Sequence, residues 1–206
     1  MKELLYKWEP YLKYGQRFEV ERNKVIYRQG EKGRGFFYLS MGEIKITLLS
    51  DKGDERIINV VPQGMLFGEH GIHQEPYLTS AAAGCPSVIY YFSDEAAATI
   101  YARHPEAAEI YTNSLIYKFR TIAEIISLID CPVEQQMAHY LLKLFYENDG
   151  SASMNQTSLA KYLGASRITI NRIIQKWKQK NYITLKNRQI LINDFEKIKA
   201  IAHDEC

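Results

Sequence analysis

The chain has 206 residues, of which 46% are apolar and 24% charged, and its formal net charge is +2. This is the composition of an ordinary soluble globular protein with room for two modest domains. No stretch reaches the roughly 18 uncharged apolar residues that a membrane span needs, and the N-terminus lacks the apolar run of a signal peptide. We therefore expect a cytoplasmic protein without a membrane partner.

The three cysteines are widely separated and odd in number. Cys85, Cys131 and Cys206 form no CxxC pair and no zinc-finger spacing, so the sequence predicts neither a disulfide framework nor a zinc or iron–sulfur site. We expect two structural thiols and a loose terminal one, and leave a redox role for Cys206 open.

From Val20 to about Phe92 the sequence has the pattern of short strands separated by turns. The strand segments are rich in β-branched and aromatic residues, and glycine-containing turn formers lie between them. A spacing of roughly 8–12 residues predicts an antiparallel barrel or jelly roll. The predicted strands are Val25–Tyr27, Phe36–Leu39, Glu43–Leu49, Arg56–Val61 and Ser87–Phe92.

A long helix is predicted after Pro105, because no Gly or Pro interrupts the sequence up to about Ile129. Along it, residues at alternating steps of four and three form a seam like that of a coiled coil. The seam predicts a homodimer, with Thr112 as its weak position; a single helix packed on its own domain is the alternative. The seam residues are Ala108, Thr112, Leu115, Phe119, Ile122, Ile126 and Ile129.

A break between domains is predicted at Asp130-Cys-Pro132, since proline ends helices. The predicted domains are therefore residues 1–104, a β domain; 105–130, the long helix; and 131–206, a C-terminal domain. In the last of these, Val133 to Tyr146 has the pattern of a helix, and a polar loop is predicted from Glu147 to Ser153.

The C-terminal part of the chain is basic. Residues 1–131 contain 15 Lys and Arg against 17 Asp and Glu, whereas residues 132–206 contain 11 against 7. Between Asp149 and Asp194 there is no acidic residue, but there are eight bases: Lys161, Arg167, Arg172, Lys176, Lys178, Lys180, Lys186 and Arg188. Eight positive charges without a nearby carboxylate repel one another, and this repulsion favours binding of a polyanion such as nucleic acid.

Within this basic segment, residues 155–175 have the pattern of a helix-turn-helix. A short helix with one apolar face is followed by Gly164, which permits a tight turn. Ser166 is a natural N-cap for a second helix, whose Ile170, Ile173 and Ile174 face inward. The stretch from Tyr182 to Ile192 alternates around Lys186-Asn-Arg188 and predicts the β-hairpin wing of a winged helix.

The outward face of the second helix carries side chains that can read double-stranded DNA. Arginine pairs with guanine, asparagine with adenine, and threonine touches a base edge or a thymine methyl. Some of these residues are expected to hold phosphates and fix the register instead. The predicted DNA-contacting residues are Gln156, Thr157, Ser166, Arg167, Thr169, Asn171, Arg172 and Lys176.

The order of the elements and several motifs resemble the cyclic-AMP receptor and fumarate–nitrate regulator (CRP/FNR) family. The motifs are Gly30-Glu31, Gly42, the segment Gly64 to Glu69, and the segment Gly164 to Arg172. The resemblance covers nearly the whole chain. It implies an α+β protein with a cyclic-nucleotide-binding-like jelly roll, a long dimerisation helix and a C-terminal winged helix-turn-helix. It also implies a transcription regulator that binds a palindromic site as a homodimer, with RNA polymerase as an expected partner.

The resemblance also places an effector pocket, whose residues depart from the family pattern. In members that bind cyclic AMP, an Arg-Ser pair after Gly68-Glu69 holds the phosphate, but counting ten residues from Glu69 reaches Thr79-Ser80 here. Threonine lacks the charged fork that binds phosphate. Members that bind cyclic AMP also place a Thr-Ser pair of the long helix against the adenine. At those positions this chain has Phe119-Arg120. The predicted pocket thus comprises Gly68, Glu69, Thr79, Ser80, Phe119 and Arg120, with an unknown effector other than cyclic AMP.

Three alternatives remain open at this point. A haem-dependent gas sensor of the same family could take an axial ligand from Met65, His70, His73 or Cys85. A regulator without a ligand would have its pocket filled by Phe119 and other aromatic side chains. A cupin-like metalloenzyme could use His70, His73 and Glu75, although the histidine spacing is odd and two ligands on one strand face need an even one. No nucleophile–base pair is found elsewhere, so we do not expect an enzyme.

Overall fold

The computed structural model describes residues 7–51, 53–147, 156–186 and 189–204. The chain divides into two units, Met1–Ala123 and Glu124–Cys206. Each unit has its own buried apolar core, so each can position a site independently.

The described part of the first unit is built on eight strands in two antiparallel sheets. After a short 3₁₀ helix (Glu9–Tyr14), the strands are β1 Gln16–Val20, β2 Val25–Tyr27, β3 Gly35–Met41, β4 Ile44–Leu49, β5 Glu55–Val61, β6 Leu66–Phe67, β7 Ser80–Ala83 and β8 Ser87–Ser93. One sheet has the order β1-β8-β3-β6 and the other β2-β7-β4-β5. The predicted antiparallel β domain is confirmed.

The core of this domain lies between the two sheets, because alternate side chains of each strand point to opposite faces. In β4, Ile44 and Ile46 are buried, whereas the residues between and after them are not. Tyr27 stacks on Tyr77, with ring centroids 4.0 Å apart, and Phe37 stacks on Phe67 at 5.1 Å. These aromatic rings form one wall of the interior.

Two helices follow the strands. Helix α1 (Asp94–Arg103) begins after Ser93, whose hydroxyl accepts a hydrogen bond from Ala96 N, an N-cap that the sequence analysis did not identify. Helix α2 (Glu106–Ser127) is the predicted long helix. Its seam side is exposed: Phe119 has 74% and Ile126 61% of its surface accessible.

The second unit consists of four helices and a hairpin in the described residues. These are α3 Val133–Glu147, α4 Gln156–Leu163, α5 Arg167–Gln179, β9 Ile183–Lys186, β10 Gln189–Ile192 and α6 Phe195–Ala202. Met137, Leu141, Ile174 and Trp177 are fully buried at its centre. The predicted helix-turn-helix with a β-hairpin wing is confirmed; residues 148–153 of the predicted loop and 187–188 of the predicted turn lie outside the described residues.

The cysteines require one correction. Cys85 is a half-buried free thiol, as expected, but Cys131 is disulfide-bonded, although the sequence analysis predicted a structural thiol there. Cysteine spacing carries no signal for a bond between residues that only the fold brings together, and this is why the disulfide was missed.

Candidate nucleic-acid interface and effector cavity

The turn between α4 and α5 is set by local chemistry. Gly164 has φ of +63°, a left-handed conformation that costs glycine little. Ala165 N donates to Ala160 O and closes the end of α4. Ser166 then caps α5, its Oγ accepting from Thr169 N at 3.0 Å. The second helix of the motif therefore begins at Arg167, where the sequence analysis placed it.

One face of α5 is buried and the other is open. Ile170, Ile173, Ile174 and Trp177 are buried at helical spacing and fix the rotation of the helix. The opposite face presents charged, polar and apolar side chains to solvent. Its exposed members between Arg167 and Gln175 are Arg167, Ile168, Asn171, Arg172 and Gln175.

The two arginines of this face are available to a ligand. In the described part of the chain no carboxylate pairs with Arg167 or Arg172, while Gln175 Nε2 donates weakly to Asn171 Oδ1 at 3.4 Å. Ile168 is 82% exposed, which places a branched apolar group beside the two guanidinium groups. Unpaired guanidinium groups next to an exposed amide form a surface suited to phosphates and base edges.

Lys176 has a different environment from the one predicted. Its Nζ donates to Glu134 Oε2 at 2.7 Å, and Trp177 Nε1 donates to Glu134 Oε1 at the same distance. Partial burial opposes ionisation of Glu134, but the hydrogen bonds from Lys176 and Trp177 hold its pKa below the usual value. Lys176 therefore ties α5 to α3 through an ion pair that is partly exposed to solvent, and its predicted DNA contact stays a prediction.

The remaining predicted contact residues lie at helix starts. Gln156 and Thr157 form the first turn of α4, where Thr157 is exposed and Gln156 half-buried. The Ser166 and Thr169 hydroxyl groups lie 2.9 Å apart, and the Ser166 hydroxyl is already engaged as the N-cap. Ser166 thus shapes the helix start, and the DNA contacts expected of Gln156, Thr157, Ser166 and Thr169 stay predictions.

The first unit contains a cavity of about 500 Å³ between the β domain and α2. Gly68, Glu69, Thr79 and Phe119 line it, so four predicted pocket residues do meet at one cavity. Phe119 does not fill it, in contrast to the alternative in which side chains occupy the pocket. The other residues that line the cavity are Tyr27, Ile46, Ile58, Asn59, Phe67, His70, Leu78, Leu115, Ile116, Lys118, Thr121 and Ile122.

Two predicted pocket residues do not line the cavity. Ser80 Oγ accepts from Gln29 N at 2.9 Å and so holds a neighbouring turn. Arg120 is exposed on α2. Successive helix residues are about 100° apart around the axis, so Arg120 cannot share the direction of its neighbour Phe119. The roles of Ser80 and Arg120 in effector binding stay predictions.

An ion pair that the sequence analysis missed lies in the cavity wall. The Glu69 side chain is 2% exposed, and its Oε1 accepts from Ser114 Oγ at 2.8 Å and from Lys118 Nζ. Lys118 Nζ also donates to Leu66 O at 2.8 Å. Burial lowers the pKa of Lys118, while the Glu69 carboxylate acts in the opposite direction. Glu69 is therefore engaged by the protein's own lysine and serine.

The candidate haem and metal ligands do not come together. His70 lines the cavity, but its Nδ1 accepts from Leu78 N and its Nε2 bonds Thr79 Oγ1, both at 3.2 Å. Met65, His73 and Cys85 are not among the cavity-lining residues that the structure describes. Across the described ranges, no three His, Cys, Asp or Glu side chains group as metal ligands. Nor does any described helix have the length and apolar character of a membrane span.

Comparison with known proteins assigns both units to known domain families. Residues 17–104 match the cyclic nucleotide-binding domain and residues 135–201 the Crp-like helix-turn-helix domain. A CRP-like cAMP-activated global transcriptional regulator of Mycobacterium tuberculosis is 26% identical over 193 residues, covering 89% of this chain and 86% of its own. Electron transport regulator A of Shewanella oneidensis is 21% identical, covering 89% and 77%.

The fold is also that of solved regulators. The c-di-GMP responsive global regulator CLP of Xanthomonas campestris superposes with a TM-score of 0.80 at 16% identity, covering 89% of this chain and 96% of that one. At this level of identity the likeness establishes the fold alone.

Proposed function

The chain belongs to the CRP/FNR family of DNA-binding transcription regulators, and on that premise we propose that it binds a palindromic operator as a homodimer. A small molecule other than cyclic AMP, bound in the cavity of the first unit, sets its affinity for DNA. RNA polymerase is the protein partner through which such binding acts on transcription.

The open face of α5 carries this proposal. Arg167 and Arg172 are exposed and uncompensated, and the N-cap at Ser166 and the buried isoleucines hold the helix that bears them. A guanidinium group reads guanine with two hydrogen bonds, an amide reads adenine, and an exposed isoleucine can contact a thymine methyl. The family resemblance implies a glutamate at or near the position of Ile168, so we expect an operator that differs from the best-known family consensus.

The exposed seam of α2 supports the homodimer. Large apolar side chains along the seam are exposed to solvent, which is unusual for a helix whose packing partners all lie in its own chain. Their spacing fits a second copy of the same helix. Two parallel copies would present two reading helices to successive major grooves about 34–36 Å apart.

The cavity and the seam share residues, which offers a physical route for switching. Leu115, Phe119 and Ile122 line the cavity and also belong to the seam. A ligand that contacts these side chains changes the free energy of pairing between the two helices, and pairing in turn sets DNA affinity. Cyclic AMP lacks its phosphate partner here, because Thr79 replaces the arginine and Lys118 is paired with Glu69.

Selection of bound sequences from a random DNA pool tests the function directly. We expect a two-fold symmetric motif with half-sites one helical turn apart, enriched more strongly when cell extract supplies the effector. Recovery of a motif from the protein alone, unchanged by extract, would remove the small-molecule switch but leave the regulator. No motif under either condition would contradict sequence-specific binding.

Replacing Ile126 with glutamate is expected to raise the dimer dissociation constant by about 10- to 100-fold, because it places two carboxylates in an apolar seam. Ile126 does not line the cavity, so ligand binding there should persist. Sedimentation equilibrium over a concentration series measures the effect. Ile168→Glu, which changes another exposed isoleucine, on α5, is the control and should leave dimerisation unchanged. An Ile126→Glu variant that dimerises like the parent would place the interface elsewhere.

A further inference from the structure

We infer that Glu134 limits the sequence-independent part of DNA affinity, because its ion pair with Lys176 withholds this lysine from the phosphate backbone. The inference rests on the proposed function, since it requires that α5 enters DNA. It assigns a role in DNA binding to a residue of α3, a helix that carries none of the predicted contact residues. It follows from the contacts of Glu134, from the place of Lys176 on α5 and from the charges around them.

Glu134 lies in the first turn of α3 and contacts two consecutive residues of α5. Its Oε2 accepts from Lys176 Nζ and its Oε1 from Trp177 Nε1, both at 2.7 Å. Trp177 is fully buried, whereas half of the Lys176 side chain is exposed. If the carboxylate followed Lys176 toward a ligand, the indole N–H of a buried residue would lose its partner, which costs free energy. The carboxylate is therefore anchored on one side and holds a movable cation on the other.

Lys176 lies at the edge of the open face of α5. It follows Arg172 by four residues, which places it one helical turn further along the same side. A helix in the major groove is flanked by the phosphates of both strands, and side chains at its edge are suited to contact them. A lysine binds phosphate as a point charge and reads no base. Pairing of Lys176 therefore affects the affinity for every duplex.

The ion pair sets Lys176 apart from the two arginines of the open face. Among the residues that the structure describes, no carboxylate pairs with Arg167 or Arg172, whereas Lys176 is paired with Glu134. A phosphate that approaches Lys176 must displace the Glu134 carboxylate and is also repelled by its charge. The open face thus offers DNA two arginines and keeps one lysine back.

The Glu134 carboxylate remains ionised at neutral pH, as this role requires. Burial opposes its ionisation, but hydrogen bonds from Lys176 and Trp177 hold the pKa of Glu134 below its usual value. The positive charge of Lys180, the C-cap residue of α5, acts in the same direction as these hydrogen bonds.

Titration of a scrambled duplex at several salt concentrations, with the full-length protein and fluorescence anisotropy, tests the inference. Glu134→Gln keeps an oxygen that can accept from the Trp177 indole but removes the charge that holds Lys176. The dimer should bind the duplex about 2- to 30-fold more tightly, the equivalent of one partly exposed ion pair per subunit. The slope of log affinity against log salt should steepen by about one per subunit. A parental affinity and slope would overturn the inference.

Lys176→Met shows whether Glu134 acts through the lysine. This variant alone should keep the parental slope, because the paired lysine makes no phosphate contact; a slope reduced by about one per subunit would contradict the inference. In the Lys176→Met background, Glu134→Gln should no longer steepen the slope, since no cation is left to release. An equal effect in both backgrounds would mean that Glu134 acts on DNA by its own charge. Glu196→Gln, on an exposed residue of α6, is the control for loss of one carboxylate and should keep the parental slope.

Binding of the selected operator by the same samples separates this inference from the proposed function. A parent protein without preference for the operator would contradict sequence-specific regulation, and a steeper slope in Glu134→Gln would still support the role of Glu134. A parent protein that prefers the operator, together with a parental slope in Glu134→Gln, would support the regulator and reject the role of Glu134.

Discussion

Replacing Arg167 with alanine is expected to remove most of the sequence preference in DNA binding. A guanidinium–guanine pair contributes about 1–3 kcal/mol of discrimination per half-site, so a symmetric dimer should lose about 2–6 kcal/mol. Arg167 is the first residue of α5 and no described carboxylate pairs with it, so its loss leaves no buried charge behind. Fluorescence anisotropy with the selected operator and a scrambled duplex measures the loss as the ratio of the two dissociation constants.

Lys199→Ala is the control for loss of charge. Lys199 is exposed on α6 in the same unit, and its replacement by alanine also removes one positive charge. It should weaken both duplexes slightly and keep their ratio. If Arg167→Ala keeps the parent ratio, then Arg167 is not a base-reading residue, whatever its effect on overall affinity.

Salt dependence distinguishes base contacts from phosphate contacts at the second arginine. A residue that neutralises a phosphate contributes about one to the slope of log affinity against log salt, and its removal weakens every sequence alike. Arg172 lies one helical turn beyond Ile168 on the open face of α5. The same titrations, repeated for Arg172→Ala, show whether it reads a base or fixes the register.

Sequence reasoning was strongest where structure is determined locally. The turn at Gly164 and the N-cap at Ser166 were predicted to the residue, since a positive φ and a side-chain cap depend on a few neighbouring residues. The long strands β3, β4, β5 and β8 were found for the same reason. Their β-branched and aromatic residues extend over six or seven positions, and this composition is visible without tertiary contacts.

Elements with weak local signals were missed. Strand β7, Ser80–Ala83, consists of small residues and exists because it pairs with β2 and β4. Strand β6, Leu66–Phe67, is too short for any periodicity. Strand β1 is mostly exposed, so one of its faces lacks the apolar pattern that marks a strand. In these cases partners distant in sequence supply the stabilisation, which overrides local preference.

The cavity was predicted only in part, for a related reason. A family pattern placed Glu69 and Thr79 by counting along the chain, and both do line the cavity. The family pattern gave no signal for Lys118. In the sequence of a helix of mixed composition, a buried lysine that forms an ion pair looks the same as a solvent-exposed lysine. Only the fold shows that Lys118 reaches Glu69 and Leu66 O. Charge compensation across 49 positions of sequence is a property of the packed chain.

Replacing Lys118 with methionine is expected to destabilise the first unit by about 3–5 kcal/mol, since it leaves the Glu69 carboxylate buried without its cation. The chain has two tryptophans, and each is buried in a different unit, Trp8 in the first and Trp177 in the second. Denaturant unfolding of single-tryptophan variants therefore reports each unit separately. The loss should appear in the Trp8 signal and leave the Trp177 transition in place.

Two further variants separate loss of the lysine from burial of an unpaired charge. Glu69→Gln combined with Lys118→Met removes both charges and should recover most of the lost stability, because an uncharged pair carries a smaller desolvation cost. Lys143→Met breaks a more exposed pair with Glu124 and should cost less than about 1 kcal/mol. If Lys118→Met costs no more than Lys143→Met, the Glu69 carboxylate is not electrostatically dependent on Lys118. The Lys118–Glu69 pair would then contribute little to the stability of the first unit.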